Sequence, residues 1–199
     1  MLAGIVLINS IAYIGGVVSM DSARDIQRAL EIANGLSFPL AGPDIGGFLH
    51  AGPLWFYFLA IPTLTGSLIF ISLWIGFFAS LKFVFAYLLG KELIDKKFGA
   101  LWSIYLLLPG WKTMDQFAIG HTNVVETLCL LFLLLLLRYY KTGSEKYLLL
   151  SVFALSVAIH GHPSTLILGI LFIPSLFKHF RKLNLKIIVF SIILKFPEN

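Results

Sequence analysis

Residues 1–20 read MLAGIVLINSIAYIGGVVSM, and DSARD follows at 21–25. Twenty consecutive uncharged residues form a helix about 30 Å long, the thickness of a bilayer's hydrocarbon core. The opening stretch therefore predicts a first transmembrane helix over 1–20. A secretory leader fits less well: there is no basic start, the apolar stretch is long, and no small-x-small cleavage pattern leads into Asp21. The rest of the chain carries the same signature. Of 199 residues, 58% are hydrophobic and 13% charged, with a mean hydropathy of +0.91, a balance that a soluble domain neither needs nor tolerates. Roughly six crossings of about 20 residues would use most of this length and leave no room for a soluble domain of about 100 residues. The apolar run from Leu185 to Phe196 is broken by Lys186 and Lys195 and stops at Phe196-Pro197-Glu198-Asn199. It reads as a crossing begun and not finished, the mark of a truncated chain or of the first half of a larger protein.

Outward from the first span, residues 21–53 form the one long polar segment. Its first part predicts an amphipathic helix with Ala23, Ile26, Leu30 and Ala33 on one face, the charges elsewhere and Gly35 at its end, lying flat on the membrane. From Phe38 to Pro53 the chain is rich in Gly and Pro and cannot be regular helix. Leu54 to Gly90 is apolar and aromatic, broken at Pro62 and Gly66, then nearly uninterrupted. Further apolar stretches end at Leu108 and cover Val124–Leu137, Leu148–Ile159 and Thr165–Phe177.

Charge orients these stretches. Loops 91–97, 138–146 and 178–186 hold 3, 3 and 4 Lys or Arg, against 2, 1 and 0 in 21–53, 109–123 and 160–164. The positive-inside rule makes the first set cytoplasmic and the second outward-facing, with a cytoplasmic N-terminus. Residues 54–90 then start outside and end inside, which requires one full span after Gly66 preceded by a short interfacial or re-entrant piece. The predicted fold is all-α: a polytopic transmembrane bundle in a single domain over 1–199, with the first span at 1–20, the first outer loop and its interfacial helix at 21–53, and the remaining membrane helices at 54–199.

The net charge of +5 comes without a basic stripe interleaved with aromatics, so nucleic acid is not an expected partner; membrane lipid is. There is no Walker motif, dinucleotide-binding glycine fingerprint, HExxH or cysteine pair, and Cys129 stands alone in an apolar run. The polar side chains outside the basic loops gather instead on the predicted outer side: Asp21, Arg24, Asp25, Asp44, His50, Asp115, His121, Asn123, Glu126, His160 and His162. A channel or simple transporter would concentrate them near mid-membrane on broken helices.

Asp21, the first charge after a full span, sits where partial desolvation would make a carboxylate a usable base or a cation ligand, Mg²⁺ or Mn²⁺ being the cofactor compatible with the second role. The plainer alternative is that Asp21 or Ser22 caps the amphipathic helix. Asp21 and Asp25 are four apart, with Arg24 and Arg28 as the cations that offset their repulsion, a pattern an ordinary solvated ion-pair face also explains. His50 lies in a glycine-rich turn before an aromatic re-entry in which Trp55 and Tyr57 read as an interfacial belt. Gly161 and Pro163 would let His160 and His162 pair on a metal, although a single hydrogen-bonding His162 at a helix end fits better. Lys82, about 13 Å into its span, reads as snorkelling or as paired within the bundle, and Glu126 and Asn123 as suited to a helix start.

Asp21-Ser22-Ala23-Arg24-Asp25, Ala33-Asn34-Gly35, Phe38-Pro39-Leu40-Ala41-Gly42-Pro43, Gly46-Gly47 and His50-Ala51-Gly52-Pro53-Leu54 together resemble the first outer loop of the C-type membrane glycosyltransferases, in the protein-mannosyltransferase-like family 39 that includes relatives of the aminoarabinose transferases. Leu88-Leu89-Gly90-Lys91-Glu92-Leu93, His121-Thr122-Asn123 and His160-Gly161-His162-Pro163-Ser164 resemble later turns of that family, in order. The resemblance implies transfer of a sugar from a polyprenyl-phosphate donor (undecaprenyl- or dolichyl-phosphate) to a protein, lipid or glycan acceptor on the outer face. It implies Asp21 as the catalytic base, with substrate-binding roles for Arg24, Asp25, Asp44, His50, Asn123 and His162. Ser22, Ala51 and Asn123 stand where some relatives carry an acid, a lysine and an acid. The rival reading is a non-catalytic membrane protein, a carrier of lipid-linked substrate or a degenerate paralogue.

Overall fold

A computed structural model describes residues 1–16, 18–47, 49–108, 117 and 119–175. The third basic loop, Asp115 and the apolar run after Leu185 lie outside the described residues. Helix α1 (Leu2–Ala12) passes into a 3-10 turn, Tyr13–Gly15, and stops. The expected twenty-residue span over 1–20 is thus shortened, and the cause is local. Gly16 turns extended (φ −73°, ψ 158°) and lies so close to Phe117 that a Cβ would sit 2.0 Å from the Phe117 carbonyl oxygen. A second helix, α2 (Met20–Ala33), then starts at 99° to the first.

The cap of α2 is Ser19, neither Asp21 nor Ser22. Ser19 Oγ accepts from the Ser22 amide at 3.1 Å and Ser22 Oγ accepts from the Ser19 amide at 3.3 Å, a reciprocal box that satisfies two otherwise orphaned donors. Asp21 stands in the first turn, where the helix dipole favours a negative charge. The helix ends as expected at Gly35, whose φ of +69° lets Leu36 N–H reach Glu31 O and Gly35 N–H reach Ile32 O, the Schellman pattern. The inward face, however, is Ser22, Asp25, Ile26 and Ala29. Of the expected apolar face, Ile26 packs inward while Ala23 and Leu30 remain exposed.

Strands β1 (Asp44–Ile45) and β2 (Leu49–His50) pair antiparallel as a hairpin, Asp44 opposite His50. Helix α3 (Leu54–Thr63) has 10 residues, about 15 Å and too short to cross a bilayer. After the left-handed Gly66 comes α4 (Leu68–Leu93), followed by α5 (Lys96–Tyr105), α6 (His121–Thr142), a left-handed Gly143 turn, α7 (Glu145–Gly161) and a 3-10 segment, Pro163–Phe172. The fold is helical, and among the described residues α4 and α6 are the two helices long and apolar enough to cross a membrane.

Helix α4 is the axis of the molecule. Helix α1 packs antiparallel to it, Asn9 Nδ2 donating to Ser80 Oγ at 2.8 Å, where Gly76 admits the Ser10 carbonyl at a distance no side chain would allow. Helix α5 closes on α4 through Gly99 and Gly90, and Ser103 Oγ donates to Phe83 O. Helix α6 runs parallel to α4: Thr127 meets Ala79, Glu126 meets Lys82 and Arg138 meets Glu92. Small residues at close crossings and polar hydrogen bonds between helices are how helices associate where the solvent is as apolar as the core. Helix α7 folds back on α6, Gly161 against Val125. The bundle therefore has two chemically distinct ends. One carries loops 91–97 and 138–146, tied by the Arg138–Glu92 pair at 2.6 Å; the other carries the start of α2, the hairpin stem, the start of α6 and the end of α7.

Candidate functional site

At that second end, α2 and α3 bring Asp25 and Trp55 together. Asp25 is 2% exposed. Its Oδ1 accepts from Arg24 Nε and Nη2 at 3.0 and 2.8 Å, and its Oδ2 accepts from Trp55 Nε1 at 2.8 Å. A carboxylate survives in an apolar layer only when such donors replace its water. Arg24 reaches Asp21 as well, at 3.0 Å, so one guanidinium lies between two carboxylates. Asp21 keeps 78% of its side-chain surface in the open. Desolvation, expected at Asp21, is found one turn later at Asp25.

Two histidines complete the cluster. The His121 ring meets Trp55 edge-on at 6.0 Å and lies nearly parallel to His162 at 6.1 Å. His162 caps the 3-10 segment, its Nδ1 2.7 Å from Ser164 Oγ, which fits the reading of a hydrogen-bonding histidine at a helix end. His160 turns elsewhere: Gly52 lies beneath its ring, and a Cβ there would fall 1.7 Å from Nδ1. That contact fastens the hairpin stem to α7, and it requires glycine because only a residue without Cβ permits the approach. His160 and His162 thus have different neighbours. Among the described residues no three His, Cys, Asp or Glu side chains converge as a metal-binding group.

Asp44 and His50 face each other across the hairpin, two rungs beyond Gly52. Asp44 Oδ1 accepts from the Gly47 amide at 2.6 Å and so holds the turn. Asn123 lies in the first turn of α6, two residues after His121. The structure therefore assembles Arg24, Asp25 and His162, leaves Asp21 on their open side, and puts Asp44 and His50 on the adjoining hairpin. Two members of the cluster fall outside the expected set. Trp55 reads in sequence as an ordinary interfacial aromatic, and His121 stands in a motif whose asparagine seemed the polar group of interest; their signal is that each precedes or follows a chain break at the same end of the bundle. The loop to α6 is held there too, Ser22 Oγ donating to Ile119 O at 2.6 Å.

Comparison with protein-family models, curated proteins and solved structures finds no match to this chain.

Proposed function

We propose that this chain is the membrane-embedded part of a glycosyltransferase that moves a sugar from a polyprenyl-phosphate donor to an acceptor on the outer face of the membrane. The observation that carries the reading is the gathering of Asp21, Arg24, Asp25, Trp55, His121 and His162 at the end of the bundle opposite loops 91–97 and 138–146. With those basic loops cytoplasmic, the cluster lies at the outer interface in a multi-pass protein, where a lipid-linked sugar presents its anomeric carbon.

The chemistry suits the residues. An acceptor hydroxyl attacks the anomeric carbon, forming a new C–O bond, while the bond from that carbon to the donor phosphate breaks and its electron pair stays on the phosphate oxygen. The acceptor proton passes to Asp21, the carboxylate open to an incoming group. Arg24 and His162 are the groups of this cluster suited to stabilise charge on the departing phosphate. Asp25 fixes Arg24, and Asn123, Asp44 and His50 border the route of the acceptor. In membranes containing the full-length protein, Asp21→Asn abolishes transfer of label from polyprenyl-phosphate [¹⁴C]mannose while leaving membrane insertion intact. Undiminished transfer would remove Asp21 from the mechanism.

A second reading has an observation of its own. Both Asp25 oxygens are engaged and Asp21 is paired with Arg24, as in a scaffold whose charges only hold helices together. A non-catalytic carrier of lipid-linked substrate would bind the labelled donor without consuming it, in wild type and Asp21→Asn alike.

A further inference from the structure

Loops 91–97 and 138–146 do more than mark one end of the bundle. A groove of about 570 Å³ opens beside them, lined by Leu93, Ile94, Phe98, Leu101, Trp102 and Tyr105. That volume is in the range of small-molecule sites, and the lining is almost wholly apolar. On α5 the residues at 98, 101, 102 and 105 repeat at helical spacing and form one stripe, about 10 Å long. Of the acids beside it, the Glu92 carboxylate is paired with Arg138, while Lys141 donates to the Glu92 main-chain carbonyl; Asp95 caps α5 by accepting from the Phe98 amide at 2.7 Å and keeps its charge. Lys91, Lys96 and Lys97 are exposed and have no ion pair among the described residues. Lys97 stands one turn before Leu101 on the same stripe.

We propose that this groove binds an anionic membrane phospholipid, its acyl chain along Phe98, Leu101, Trp102 and Tyr105 and its phosphate among Lys91, Lys96 and Lys97. An apolar trough beside three lysines and a single acid unpaired among the described residues, Asp95, has a net positive end and is complementary to a lipid with a negative head, whereas a zwitterionic lipid gains from the trough alone. A second copy of this chain would bring the same three lysines against each other, which disfavours self-association through this face. The inference does not depend on sugar transfer.

The test is native mass spectrometry of the detergent-purified full chain, titrated with phosphatidylglycerol and with phosphatidylcholine of the same acyl composition. Phosphatidylglycerol adducts are expected at roughly tenfold lower lipid concentration or better, given the attraction of two or three lysines. Lys96→Gln with Lys97→Gln removes that preference, Lys96→Arg with Lys97→Arg keeps it, and Leu101→Trp, which fills the groove, weakens both lipids. All these positions are exposed, and circular dichroism confirms that each variant keeps its helices. Equal retention of the two lipids by wild type, a preference undiminished by the glutamine pair, or dimers lost on Leu101→Trp in place of lipid adducts would overturn the proposal.

Discussion

An ionised carboxylate buried beside tryptophan is stable only while each oxygen keeps a donor, and at Asp25 the two donors are unequal. Arg24 is charged and half in solvent; Trp55 is neutral and buried. Trp55→Phe keeps the ring and the packing on Phe58 but leaves Oδ2 without its partner, so it should cost about 1–3 kcal/mol, the usual penalty for a buried acceptor left unsatisfied. Denaturant unfolding of the purified protein in detergent micelles measures this, and an unchanged midpoint would show that water replaces the indole. Spacing along the chain shows Asp21 and Asp25 on neighbouring turns and suggests a common solvated face. It does not show which is buried, because the donor that makes burial tolerable is thirty residues away on another helix. The same holds for His160, whose neighbour Gly52 is over one hundred residues earlier.

Among elements, α4 and α6 are joined by an ion pair that lies partly within the apolar layer. Lys82 is 9% exposed and Glu126 40%, with Nζ and Oε2 3.0 Å apart. Lys82→Met should destabilise by about 1–3 kcal/mol, less than the 3–5 kcal/mol typical when one member of a fully buried pair is removed, because Glu126 retains access to solvent. Adding Glu126→Gln should recover part of the loss, and a double-mutant cycle on unfolding in micelles measures the coupling. Strict additivity would mean that the two charges act separately. That Lys82 needs either a partner or a path to the interface was legible from its depth in an apolar run; which of the two, and that the partner is Glu126, was not. The break at Gly66 and the stop at Gly35 were legible as well, being local backbone requirements. The early end of α1 was legible only in part: Gly15-Gly16 is a pair that weakens a helix, but the approach of Phe117 to Gly16 joins residues about one hundred apart and is not written locally.

At the scale of the molecule, charge and chemistry divide between two ends, and helix directions enforce the division. Helices α4 and α6 run parallel and α1 runs against them, so loops 91–97 and 138–146 must share an end and the start of α2 must lie at the other. In intact cells, with Cys129→Ala as background, Asp44→Cys should react with an impermeant thiol reagent, and Lys97→Cys only after permeabilisation. The reverse order would invert the orientation while leaving the division intact. Hydropathy and loop charge made this polarity readable, whereas the cluster at the far end needed the folded arrangement, because its members come from three separate helices and the turn after a fourth. The right-angled corner between α1 and α2 adds a mechanical property. Gly16 abuts Phe117, and Ser22 holds the Ile119 carbonyl, so the corner and the strand of chain leading into α6 are clasped at two points. The start of α2 and the chain just before α6, whose first turn carries His121 and Asn123, are therefore held in one fixed relation.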